Sequence, residues 1–426
     1  MGLNSGIKES DFKRKKLNLV IVLDNSGSMG EYFNQYYYDN TGKQIDIYNE
    51  DGVNSQRKID NANEAIVSIL NQLNDGDRFA IVLFNSDASV LQPMGLVGNT
   101  AMGAVRNRVL NIVAGGSTNL DAGMDLATKQ FKGLSELSSY DYENRIIVLT
   151  DAQPNTGDIS SSNFMDSVER NAGSRIYTTF IGVGVDFNTQ LIKRITKVKG
   201  ANYYTVHSHR EFNRRVNEEF DFMVTPLVFN LKFYFEAAGW KIDQVFGSPE
   251  ADQASGTLMT INTMFPSRSE GGENKGGIVL LKLRKTSSNP DDTLYLKVNY
   301  EDRNGKKDTS QAIIHVSSHT PEYFGNSGIR KAVLLTRYAA LLKNWMIDER
   351  GHMHYSKPWD PCIGEWSGIT IPNENVGQWE RTSLPLYVSP WYRSIFSDFS
   401  RYFEGELEVI GDSTLNQEMR ILDALS

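Results

Sequence analysis

Asp24, Ser26 and Ser28 stand at alternate positions directly after the apolar run Leu19-Val20-Ile21-Val22-Leu23. A buried parallel strand reads as such a β-branched and leucine run, and the carboxyl end of the strand is where open α/β sheets place their ligands. One carboxylate and two hydroxyls are hard oxygen donors. They suit a cation such as Mg2+, which takes octahedral oxygen coordination at about 2.0–2.1 Å and keeps several of its waters. Asp-x-Ser-x-Ser by itself also describes an ordinary polar turn, but two later segments extend the donor set. Gly115-Gly116-Ser117-Thr118-Asn119 is a glycine-rich turn that places the Thr118 hydroxyl just before a helical pattern beginning at Leu120. Arg145-Ile146-Ile147-Val148-Leu149-Thr150 is a second buried-strand pattern, and it ends on Asp151.

The elements that must carry these loops follow from periodicity. Helices are expected near 58–73, 99–113, 120–132, 161–172, 188–197 and 209–222. Strands are expected at 78–84, near 88–92, and at 145–150, 175–183 and 202–206. Alternation of this kind implies a doubly wound, mostly parallel sheet with helices on both faces. Past Thr225-Pro226 the pattern becomes alternating, as in Leu227–Glu236, Ile278–Arg284 and Leu294–Tyr300, with Asn304-Gly305 as a hairpin signal. Residues 223–318 therefore read as an antiparallel β-sandwich. Residues 1–13 carry no helix signal and could donate a strand to that sandwich, which would make 14–222 an insertion between its strands. From Gly328, apolar residues recur at three and four through Trp345, with an expected stop at Asp348-Glu349-Arg350-Gly351. Residues 319–426 read as a helical region docked on the other domains, with an irregular aromatic loop holding Trp359, Trp366 and Trp379 and further helices near 391–404 and 412–425.

The ordered set Asp24, Ser26, Ser28, Thr118 and Asp151 resembles the metal-ion-dependent adhesion site of the von Willebrand factor A domain. In that site a first-loop Asp and two Ser, a second-loop Thr and a third-loop Asp surround one divalent ion. All five positions are filled here, and the resemblance covers about residues 14–222. Asp77–Phe84 and Tyr177–Gly184 resemble further family strands, and within the family Asp77–Phe84 and 150–155 look most like bacterial surface proteins described as calcium-activated chloride channel homologues and inter-alpha-trypsin-inhibitor heavy-chain-like proteins. Ala152 departs from the family, many members of which carry Gly after the third-loop Asp. The resemblance implies a non-enzymatic, metal-dependent protein-binding module, with Mg2+, or Mn2+ or Ca2+, completed by an acidic residue of a protein partner. It also implies an extracellular, cell-surface or periplasmic setting. The alternative is a cytoplasmic assembly factor gripping a chaperone or ATPase with the same site.

Composition narrows the classes. The chain has 426 residues, long enough for two or three domains, and a net charge of −8, which opposes non-specific nucleic-acid binding. Cys362 is the single cysteine, so no internal disulfide forms. The first apolar run, Leu17–Leu23, is too short to span a bilayer, and no export signal is legible. Hydrolase readings are weak: Gly-x-Ser-x-Gly is absent around Ser26 and Ser28, and the candidate bases His207 and His209 lie in a polar turn. An aromatic-rich insertion runs from Tyr32 to about Arg57, and it reads either as a wall of the site or as a surface hairpin closed at Asn40-Thr41-Gly42. Asp39, Asp46, Glu50 and Asp51 within it fit no known ion-binding loop.

Overall fold

The computed structural model describes residues 12–32, 36–38, 44–46, 56–134, 141–151, 163–184, 194–206, 212–248, 257–266, 269–270, 273–274, 278–288, 293–316, 320, 323–352 and 387–426. The apolar runs of the first half become strands β1 (Lys16–Asp24), β4 (Arg78–Phe84), β5 (Ala88–Leu96), β6 (Tyr142–Thr150), β7 (Ile176–Val183) and β8 (Asn202–Val206). Their order in the sheet is β5-β4-β1-β6-β7-β8. Every neighbouring pair is parallel except β4 with β5. The edge strand β5 runs past Pro93, a residue that only an edge or a bulge tolerates.

Helices cover both faces, as the sequence pattern requires. Leu17, Leu19, Ile21 and Leu23 of β1 pack with Ile59, Ala62, Ile66 and Ile69 of helix α1 (Lys58–Asn71) and with Val105 and Val109 of α2 (Met102–Leu110). Val20 and Val22 point the other way, onto Met124 and Ala127 of α3 (Leu120–Lys129) and Met165 and Val168 of α4 (Asn163–Gly173). After β1 the chain turns towards β4, and after β6 it turns towards β7, so the carboxyl ends of the adjacent strands β1 and β6 flank the topological switch point. Asp24 and Asp151 stand at those two ends.

Helix α3 approaches β4 closely at Gly123, where an added Cβ would meet the buried Phe84 ring at 2.9 Å. Gly123→Ala is therefore expected to destabilise the α/β unit by roughly 1–3 kcal/mol, the usual cost of overpacking. Gly103→Ala on α2 is the control, since its Cβ would meet nothing within 4 Å. Urea denaturation of the two variants should separate them, and equal midpoints would contradict this packing.

The insertion returns to its starting point. Tyr32 bridges Arg57, and the Lys58 amide donates to the Glu31 carbonyl at 2.9 Å, so α1 begins directly beside the end of the first loop. Within the insertion, β2 (Tyr36–Tyr38) pairs antiparallel with β3 (Gln44–Asp46). The side chains of these two strands, and Asp39, Glu50 and Asp51, lie outside the described residues.

One expectation changes at the end of this unit. The continuous helix near 209–222 is a π-type turn, Arg214–Glu218, followed by the short helix α5 (Phe220–Val224). Phe212, Val216, Phe220 and Val224 are all buried, and a spacing of four cannot distinguish one helix from two segments sharing a face. The helix near 188–197 falls mostly outside the described residues, as does the opening strand at 1–13 except for Phe12 and Lys13. Phe12 stacks on Phe222 of α5 at 5.1 Å.

The middle of the chain contains β9 (Val228–Glu236), β10 (Trp240–Phe246), β11 (Thr257–Met264), the two-residue strands β12 (Ser269–Glu270) and β13 (Glu273–Asn274), β14 (Leu280–Lys285), β15 (Thr293–Asp302) and β16 (Lys307–His315). A four-stranded sheet β11-β9-β15-β16 and a two-stranded sheet β10-β14, both antiparallel, share a core centred on Leu231, Phe233, Ile242 and Leu258. The β15–β16 hairpin differs from the expected turn: only Gly305 of the Asn-Gly pair takes a positive φ, +90°. The Asp302 carboxylate accepts the amides of Asn304 and Lys306, which fixes a three-residue loop closed by a left-handed glycine.

The C-terminal region has its own apolar core. Leu334, Tyr338 and Trp345 of α6 (Ser327–His352) meet Tyr392, Phe396 and Phe403 of α7 (Pro390–Ile410) and Leu422 of α8 (Asn416–Leu425). Helix α6 continues through the expected stop at Gly351, and α7 starts one residue early and runs to Ile410. The aromatic loop with Trp359, Trp366, Trp379 and Cys362 lies outside the described residues.

Candidate metal centre

Strand β1 delivers Asp24 to the sheet edge fully buried, and the next residues turn back over it. The Ser26 amide donates to Asp24 Oδ1 at 2.8 Å, while the Thr150 hydroxyl at the end of β6 donates to Asp24 Oδ2 at 2.6 Å. Ser26 Oγ and Ser28 Oγ share a hydrogen bond at 3.2 Å, and Ser28 Oγ donates to Asp151 Oδ1 at 2.8 Å. Hydrogen bonds thus join Asp24, by way of the Ser26 amide, to the Ser26 and Ser28 hydroxyls and to Asp151 across the switch point.

Thr118 arrives by a separate route. Its loop is stitched to the first one by Gly27 N–H donating to the Gly116 carbonyl at 2.9 Å and Gly115 N–H donating to the Asn25 carbonyl at 2.8 Å. Asn119 then caps α3, its side chain accepting from the Ala122 amide. Thr118 itself is half-buried at the junction. The third loop beyond Asp151, including Ala152, lies outside the described residues, as do His207 and His209.

Three groups at the site escaped the sequence reading. Thr150 anchors Asp24, as described. Lys58, the first residue of α1, donates from Nζ to Asp151 Oδ2 at 2.9 Å and to Glu31 Oε2 at 3.4 Å. Its side chain is only 11% exposed, whereas that of Glu31 is 71% exposed.

Burial pushes the Asp24 carboxyl up to about 6, against the downward pull of its bonds from Thr150 and Ser26, and the nearby Asp151 carboxylate adds to the rise. A carboxylate taken out of water beside a second one is a place where a cation lowers the free energy. The donors are all oxygens, two of them carboxylate-bearing and the rest hydroxyls, which matches a hard divalent ion that retains waters. Among the described residues no group of three or more His, Cys, Asp or Glu could hold a metal, and Ser26 and Ser28 supply neutral oxygens beside the two carboxylates. The residues present fit such an ion.

The sequence model of the von Willebrand factor type A domain matches residues 18–218. Inter-alpha-trypsin inhibitor heavy chain H4 of Homo sapiens is 24% identical over 228 residues, covering 51% of this chain and 21% of that protein. Heavy chain H2 of Mesocricetus auratus is 22% identical over 178 residues, covering 41% of this chain and 19% of that protein. The chain thus spans about a fifth of the length of the curated relatives it matches. Among solved structures, a von Willebrand factor type A protein from Catenulispora acidiphila aligns with a TM-score of 0.47 at 16% identity, covering 77% of this chain and 73% of that one. The family match runs from Asn18 in β1 to beyond β8 and takes in the loops that carry Ser26, Ser28 and Thr118, so this chain carries a von Willebrand factor type A domain over residues 18–218.

Proposed function

We propose that this protein is a divalent-metal-dependent protein-binding module of the adhesion or surface-scaffold kind. Asp24, Ser26, Ser28, Thr118 and Asp151 hold Mg2+, with Mn2+ or Ca2+ as substitutes, and an acidic residue of a protein partner supplies the last ligand. The observation that carries this reading is the hydrogen-bonded chain that runs from Asp24 through the Ser26 amide and the Ser26 and Ser28 hydroxyls to Asp151 at the switch point. Neutral hydroxyls make up most of the donor set, so the ion keeps its appetite for an anionic ligand, and a carboxylate replaces water at the open position. The family relationship supports a protein partner rather than a small substrate. No helix among the described residues is long and apolar enough to cross a membrane. We place the module outside the cytoplasm, as the resemblance to heavy-chain proteins suggests.

The test is capture of partners from native extract with Mg2+ and with EDTA, repeated with Thr118→Ala. Removing one neutral oxygen that water can replace leaves the fold intact, so the melting temperature is expected to stay within a degree or so of the unmodified protein. Partner affinity is expected to fall by about tenfold or more, the scale on which loss of a group orienting a metal site acts. A partner retained through both EDTA and Thr118→Ala would show that recognition lies elsewhere on the molecule.

A further inference from the structure

We propose that Lys58 is a second fixed cation of the metal centre, which weakens metal binding and strengthens binding of the partner's carboxylate. This rests on the metal reading above and adds a ligand-binding residue that the five-residue set does not contain.

The placement of Lys58 is constrained from several sides. Its backbone amide is held by the Glu31 carbonyl at 2.9 Å, and its side-chain stem lies where a Cβ on Gly184, at the end of β7, would meet Lys58 Cε at 3.4 Å. The ammonium binds Asp151 Oδ2, while Ser28 binds Asp151 Oδ1. The two oxygens of one carboxylate therefore serve two neighbours, and the ammonium is bound to the oxygen that the serine network leaves over. Both cations can be held at once.

Charge then decides the consequence. A divalent ion held by Asp24 and Asp151 alone gives a centre with no net charge, and Lys58 adds one positive charge, which the exposed Glu31 carboxylate offsets until it is displaced. A like charge beside the ion costs metal affinity, and the same charge attracts an arriving anion. Glu31 is the exposed, longer-range member of the Lys58 bridge, at 3.4 Å against 2.9 Å for Asp151. An incoming carboxylate can take its place on the ammonium without disturbing the buried pair. The proposal thus requires opposite changes in two affinities, whereas a Lys58 that merely oriented Asp151 would support both in the same direction.

The experiment uses the full chain, with Mn2+ as the metal and acetate as the carboxylate probe. Free Mn2+ is measured by electron paramagnetic resonance, and acetate binding is followed as the loss of water-proton relaxation enhancement when a metal-bound water is displaced. Lys58→Met is expected to bind Mn2+ about tenfold more tightly and acetate about tenfold more weakly. Lys58→Arg is expected to keep both affinities near those of the unmodified protein, and Lys58→Gln serves if the Met variant melts early. Mn2+ affinity that falls or stays unchanged in both neutral variants, with the unmodified protein binding Mn2+, overturns this inference alone. An unmodified protein that binds no Mn2+ overturns the metal reading and this inference with it.

Discussion

Asp24→Ala is expected to erase the stabilisation that millimolar Mg2+, Mn2+ or Ca2+ gives to the unmodified protein. A ligand that binds only the native state stabilises it by RT ln(1 + [L]/Kd), about 2.7 kcal/mol at a hundredfold excess over Kd. Melts with metal and with EDTA should separate for the unmodified protein and coincide for the variant. The metal-free baseline carries a second expectation. Alanine removes the acceptor of the Ser26 amide and the Thr150 hydroxyl, which costs about 1–3 kcal/mol where these groups are buried. Asp24→Asn keeps an acceptor and removes a charge that burial disfavours, so in EDTA it should melt above Asp24→Ala and no lower than the unmodified protein. Melts of the unmodified protein that coincide with and without metal would count decisively against an ion at this centre.

The parts of this centre legible in the sequence are those that local pattern dictates. Leu19–Leu23 could only be a buried strand, so the residues after it had to sit at a sheet edge, and the same logic placed Asp151 after Ile146–Leu149. Lys58 was not legible, because a lysine at a helix start reads as solvated. What buries it is a carboxylate 93 positions away, reached only when β6 docks beside β1. Thr150 could have been found: a hydroxyl at the last position of a strand, adjacent to a site carboxylate, is placed to bond a group on the neighbouring strand. The break between Arg214–Glu218 and α5 was hidden because its buried residues keep one spacing through both segments.

The opposite end of the sheet shows why the α/β unit and the β-sandwich must be considered together. Lys199 pairs with Glu301 at 2.6 Å, the Gly200 amide donates to Thr263 Oγ1 at 2.6 Å, and Tyr177 packs against Phe229 at 5.3 Å. Arg175 and Lys15 both reach Asn304 in the β15–β16 turn. The asparagine and glycine of that hairpin therefore lie against the α/β unit, at the end remote from the candidate metal centre. Among the described residues, these contacts tie the sandwich to the end of the sheet opposite Asp24 and Asp151.

Arg145→Met is expected to destabilise the protein by roughly 3–5 kcal/mol, the cost of removing one partner of a buried ion pair, although Arg303, Lys15 and Arg175 still act on the Glu143 carboxylate. Arg145 is completely buried at the base of β6. It donates to Thr179 Oγ1 at 2.9 Å and to the Gly200 carbonyl at 3.3 Å, and its guanidinium lies over Phe265 of the sandwich side at 5.4 Å. Glu143, also buried, stands 3.8 Å from it, and burial holds the Glu143 carboxyl above its ordinary value while Arg145 pulls it down. Without the arginine that upward shift grows. The native state then binds a proton that the unfolded chain releases near 4.5, so the variant loses stability as pH rises through the raised folded value and is least impaired in acid. Adding Glu143→Gln to Arg145→Met removes the buried carboxylate and should recover part of the loss, with the Glu143 contribution to the pH dependence gone. Urea midpoints at pH 5 and pH 8 for the unmodified protein, both single variants and the double variant form a closed cycle that measures the coupling. Additive effects within about 0.3–0.5 kcal/mol would show that the two charges do not support each other across the 3.8 Å that separates them.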